Sequence, residues 1–116
     1  MDIGSAVSRT NGISREKIEA LGDYATSPFF SETEKLVLEY ADAMTETPVE
    51  VSDGLFSKLR AKFTDSQLVE LTATLAWENY RARFDHAFGV EAEGFTKGSY
   101  CAMPVGAAWK SRAARP

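Results

Sequence analysis

Apolar positions recur at helical spacing along most of this chain, and each run is preceded by a residue able to cap a helix. Ser14 opens a short helix to about Leu21, with Ile13 and Ile18 at the two positions of a hydrophobic staple. Ser31 and Glu34 have capping-box spacing ahead of a helix from Glu32 to about Thr45, whose Val37, Tyr40, Ala41 and Met44 form one apolar stripe. Pro48 keeps that helix from continuing. Ser52 caps a third helix, with Val51 and Phe56 as its staple and Leu55, Leu59 and Phe63 on one face. Thr64 with Gln67 opens the fourth, stapled by Phe63 and Leu68 and stopped by Gly89. Each start agrees with the apolar period after it, so the pattern predicts an all-α domain.

The fourth helix, from about Asp65 to Phe88, is long for so small a chain and is expected to be central. Steps of about 100° per residue put Val69, Ala73, Ala76, Trp77, Tyr80, Phe84, Ala87 and Phe88 on one broad apolar arc. Gln67, Glu70, Thr74, Glu78, Arg81 and Asp85 form a polar arc, on which Arg81 can pair with Glu78 and Asp85. The remaining arc starts with Leu68, Leu71, Thr72 and Leu75 and finishes with Asn79, Arg83 and His86. Whatever covers the leucines should therefore pass near the polar trio. The expected cover is a neighbouring subunit, with an acid or a carbonyl across that interface for Arg83, because an unpaired buried guanidinium is costly.

Composition narrows the chemistry. The chain has 116 residues, 44% of them hydrophobic, enough for one domain with an ordinary core. Its net charge of -4 argues against a nucleic-acid partner bound by neutralising phosphates. The charge is uneven: residues 97–116 carry Lys97, Lys110, Arg112 and Arg115 and no acid, which reads as a basic tail behind an acidic domain of residues 1–96. No apolar run is long enough to span a bilayer, and no secretory leader is evident, so no membrane partner and a reducing, cytoplasmic setting are expected. One cysteine, Cys101 in the tail, excludes a disulfide framework within the chain, and one histidine, His86, leaves little for a metal site or a catalytic triad. No cofactor and no metal are expected. The weak candidates for chemistry are Asp2, Glu78 and His86.

The first residues are unusual. Ile3, Ala6, Val7 and Thr10 already have helical spacing, and Asn11-Gly12 supplies a left-handed stop, so this first helix reads as entered midway, with Asp2 as its alternative cap. Here the residues carry a resemblance. Asp2-Ile3-Gly4-Ser5-Ala6, Asn11-Gly12-Ile13-Ser14, Lys17-Ile18-Glu19-Ala20-Leu21, Tyr24, Thr26-Ser27-Pro28, Phe30-Ser31 and Glu34 come first. Then come Tyr40-Ala41-Asp42-Ala43-Met44-Thr45, Thr47-Pro48, Val51-Ser52, Leu55-Phe56, Glu70-Leu71-Thr72, Trp77-Glu78-Asn79-Tyr80-Arg81-Ala82-Arg83 and Phe88-Gly89-Val90. In this order and spacing, and with the tail from Gly94 to Pro104, they resemble the carboxymuconolactone decarboxylase family in its alkylhydroperoxidase AhpD-like branch.

The resemblance implies a compact helical domain that assembles into homo-oligomers, commonly trimers or hexamers, and a CxxC pair that reduces a small hydroperoxide. That pair is missing here: its second cysteine would sit directly ahead of Met1, and the histidine that many relatives carry four positions later falls on Gly4. A helix N-terminus suits such chemistry because its free N–H groups and dipole favour the thiolate. Three expectations follow. The chain belongs to a longer AhpD-like thiol peroxidase with the pair upstream; or it is a non-catalytic, oligomeric or regulatory relative; or it is a cysteine-independent, lactone decarboxylase-like enzyme using Asp2, Glu78 or His86.

Overall fold

A computed structural model of the chain describes residues 7–94 apart from Arg9 and Ala92. Among these residues the structure is all-α, with four α-helices, one 3-10 turn and no strand. None of these helices is long and apolar enough to cross a membrane. Asp2, Gly4, Cys101 and the basic tail of residues 97–116 lie outside the described residues. The described residues divide into two compact units, one that holds those up to Asp23 and one that spans Tyr24–Glu91.

In the first unit Val7, Ser8 and Thr10 are helical, and the left-handed stop forms at Gly12. The N–H of Asn11 donates to the Val7 carbonyl (3.0 Å) and that of Ile13 to the Ser8 carbonyl (3.0 Å). Gly12, at φ +87, supplies the conformation this closure needs and a side chain resists. Helix α1, Arg15–Glu19, follows, and the Ser14 hydroxyl accepts from the N–H of Lys17. The α-geometry ends earlier than expected, tightening into a 3-10 turn over Ala20–Asp23.

The second unit carries the longer helices: α2, Glu32–Thr45; α3, Asp53–Lys62; and α4, Asp65–Phe88. Their starts are those expected. Ser31 and Thr64 form full capping boxes with Glu34 and Gln67, and the Ser52 hydroxyl accepts from the N–H of Leu55. Gly89 closes α4 in the left-handed region (φ 66), with the N–H of Val90 reaching back to the Asp85 carbonyl at 2.9 Å.

The core of this unit is Tyr40 from α2, Leu55 and Leu59 from α3 and Leu68 from α4. Leu36, Ala43, Met44, Val51, Phe63, Leu71 and Leu75 pack around them. Thus α2 contributes Leu36 and Ala43 with Tyr40 and Met44, where the stripe was expected to include Val37 and Ala41. The Tyr40 hydroxyl is buried but partnered. Thr72 spends its one hydroxyl proton on the Leu68 carbonyl (2.6 Å), so Tyr40 donates to the Thr72 oxygen (2.7 Å).

This packing corrects the expected cover of the leucine arc. Leu68, Leu71 and Leu75 are covered by α2 and α3 of the same chain, because those two helices present the complementary apolar faces. The broader arc of Val69, Trp77, Tyr80, Phe84 and Phe88 is exposed.

Candidate functional site

Two of the polar trio expected beneath the leucines, Asn79 and Arg83, meet the C-terminal end of α2. That end leaves carbonyls without intrahelical partners, and the following Thr47-Pro48 segment cannot continue the helix. Two α4 side chains reach this end, and of the two Arg83 alone meets a backbone carbonyl there. Asn79 Nδ2 donates to Thr45 Oγ1 (3.2 Å) and to the Leu75 carbonyl (3.0 Å). Arg83 Nη2 donates to Thr47 Oγ1 (2.7 Å) and, more distantly, to the Thr45 carbonyl (3.5 Å). Thr45 in turn donates its hydroxyl to the Ala41 carbonyl (2.8 Å).

Arg83 was expected to find its carbonyl across a subunit interface. It finds one within the chain, because the element that covers the leucines, α2, ends beside the trio. Arg81 lies on the solvated arc and pairs with Glu78 at 3.0 Å. Arg83→Ala should therefore destabilise the fold by about 1–2 kcal/mol through lost charged hydrogen bonds. Arg81→Ala should cost about 0–1 kcal/mol, as exposed pairs do. Equal losses in urea unfolding would show that the Asn79–Arg83 joint does not hold α2.

The two described candidates for chemistry do not converge. Glu78 is occupied by Arg81, and His86 is exposed two turns further on, about 12 Å along the axis at 1.5 Å per residue. No group of three or more His, Cys, Asp or Glu side chains able to hold a metal occurs among the described residues.

An open groove of about 510 Å³ runs between the start of α2 and the end of α3, with Leu36 in its wall and Lys35, Lys58, Lys62, Glu32 and Glu39 around it. Lys35 reaches Glu32 at 3.6 Å, which leaves the groove with three lysines against two glutamates. Tyr24 closes one end and donates its hydroxyl to Asp42 Oδ2 at 2.7 Å. None of these groups stood out in the sequence, since nothing local ties Tyr24 to a carboxylate on a later helix.

Burial, and then the bond to Asp42, push the Tyr24 phenol up to about 12 from an ordinary value near 10. The fold favours the neutral phenol. Its contribution to stability is thus complete below about pH 10 and is lost as pH rises toward 12. Wild-type stability should fall more steeply across that window than that of Tyr24→Phe. Parallel curves would mean that the Tyr24–Asp42 bond is not kept in solution.

The uncharacterized protein YnjA of Escherichia coli (strain K12) is 42% identical over 84 residues, which are 72% of this chain and 46% of that protein. The chain thus spans about half the length of that curated relative. No family model matches the chain, and no solved structure matches it.

Proposed function

We propose that the chain is the helical framework of a carboxymuconolactone decarboxylase-family protein of the AhpD-like branch, whose complete form reduces small hydroperoxides in a reducing, cytoplasmic compartment. The observation that supports this most is the role of the Trp77–Arg83 segment. Its Asn79 and Arg83, among the residues that carry the resemblance, join α4 to the end of α2. Two of the residues that carry the resemblance thus have a structural part in this unit, which supports the reading. The same reading adds assembly into trimers or hexamers.

The chemistry belongs to a CxxC pair ahead of Met1. One thiolate attacks the terminal oxygen of the hydroperoxide, the O–O bond breaks, the alcohol leaves and the sulfur becomes a sulfenic acid. The second thiol condenses with it to a disulfide, releasing water, and an external dithiol restores the pair. Residues 1–116 hold one cysteine and cannot complete this cycle. They should consume no alkyl hydroperoxide in the presence of a dithiol. Turnover that Cys101→Ser abolishes would overturn the reading and make the tail thiol catalytic.

A further inference from the structure

The chain has two asparagines, and their surroundings are opposite. Asn79 is half-buried inside α4, its amide nitrogen held by Thr45 Oγ1 and the Leu75 carbonyl, and Tyr80 follows it. Asn11 stands exposed at the stop behind Thr10, and Gly12 follows it. Its backbone N–H is bound to the Val7 carbonyl, while its side-chain amide has no partner among the described residues. Gly12 is exposed too, and nothing lies within 4 Å of the place where a Cβ would stand.

We propose that Asn11 is a site of spontaneous covalent modification, at which the side-chain amide is lost and aspartate or isoaspartate takes its place. The chemistry is intramolecular. The Gly12 backbone nitrogen, having given up its proton, attacks the side-chain carbonyl carbon of Asn11, and the new C–N bond closes a cyclic imide as the Cγ–Nδ2 bond breaks and ammonia leaves. Water then opens the ring. Cleavage of the new C–N bond leaves aspartate, and cleavage of the original peptide C–N bond leaves isoaspartate, in which the main chain runs through the side-chain carbon. The only co-reactant is water.

The site favours each step. Glycine has no Cβ to shield its nitrogen, the space around Gly12 is open to the ring and to water, and no hydrogen bond has to break to free the Asn11 amide. All three conditions fail at Asn79, where a tyrosine follows, the helix ladder engages the next N–H, and two acceptors hold the amide. Asp53-Gly54 shares the small neighbour, but an ionised carboxylate is a poor electrophile.

Both products place a negative charge behind the last helical residue, where the helix dipole opposes it. Isoaspartate also lengthens the main chain between the N–H groups of Asn11 and Ile13, whose bonds to the Val7 and Ser8 carbonyls close the stop. The inference depends neither on the family reading nor on its thiol chemistry.

The test is to age the full chain in mildly alkaline buffer, alone and unfolded in urea, and to follow both asparagines by peptide mass spectrometry together with the ammonia released. Asn11 should be largely converted in the native chain while Asn79 stays intact, faster at higher pH because the attacking nitrogen must lose its proton. Asn11→Gln, whose longer side chain closes a ring far more slowly, should release no ammonia over the same period. Hydrogen exchange at the Ile13 amide should be faster in the modified chain than in Asn11→Gln aged beside it. An Asn11 that survives in the native chain but reacts in urea would overturn the proposal, by showing that the stop holds the amide out of reach. Survival in both, or an Asn79 that reacts as fast, would overturn it as well. Unchanged exchange at Ile13 would overturn the structural consequence.

Discussion

Leu59→Ala is expected to destabilise the Tyr24–Glu91 unit by about 3–5 kcal/mol and to leave it largely unfolded. Leu59 is fully buried, the only described side chain under 2% exposed, and it sits among Tyr40, Leu55 and Leu68. Truncation removes its transfer free energy and leaves a cavity that three helices, held by their own caps, can only partly close. The buried core of this unit is small, and a core in a unit of this size rarely supplies more than about 3–5 kcal/mol of net stability. One cavity is therefore comparable with the whole. Leu59→Met, which keeps the volume, should cost less than about 1.5 kcal/mol. Urea unfolding followed by far-UV circular dichroism reads both, and a loss below about 1 kcal/mol for the alanine variant would mean that the three helices do not pack on Leu59.

The second large effect is all-or-none. A single thiol oxidised to a sulfenic acid has no partner in its own chain, so it waits for an external thiol or is oxidised further. A CxxC pair at a helix N-terminus escapes this, since the resolving sulfur is one turn away and the helix dipole favours the attacking thiolate. On the proposed reading, a product in which such a pair precedes Met1 should thus change hydroperoxide turnover from none to readily measurable. It should raise thermal stability at the same time, because helical Val7, Ser8 and Thr10 would become the end of a longer helix, and short helices are marginal on their own. Higher stability without activity would favour a non-catalytic, regulatory relative.

Helix starts were legible because capping is local. Ser14, Ser31, Ser52 and Thr64 each satisfy N–H groups within three residues, so sequence spacing alone carries the geometry. The facing of α4 was not legible in the same way. Its broader apolar arc, rich in aromatic residues, outnumbers the leucine arc, yet α2 and α3 cover the leucines. What decides is the shape of the partner faces and the Tyr40–Thr72 hydrogen bond, both non-local. The α2 stripe differed for the same reason, with Leu36 and Ala43 turned inward by what they meet.

The candidate site divides similarly. The Glu78–Arg81 pair follows from helical spacing, whereas the Arg83 bond to Thr47 spans 36 residues and depends on where α2 ends. An unsatisfied helix C-terminus followed by proline was the signal that a donor must come from elsewhere. Nothing in spacing says that α4 supplies it.

The central proposal, an AhpD-like framework for thiol peroxidase chemistry, is tested most directly by alkyl hydroperoxide turnover in the product that includes the coding sequence in frame ahead of Met1. Turnover with a dithiol reductant is expected from that product, lost when either cysteine of its CxxC pair is replaced by serine, and absent from residues 1–116. A stop codon directly ahead of Met1, or an extended product that carries the pair and consumes no hydroperoxide, would contradict it.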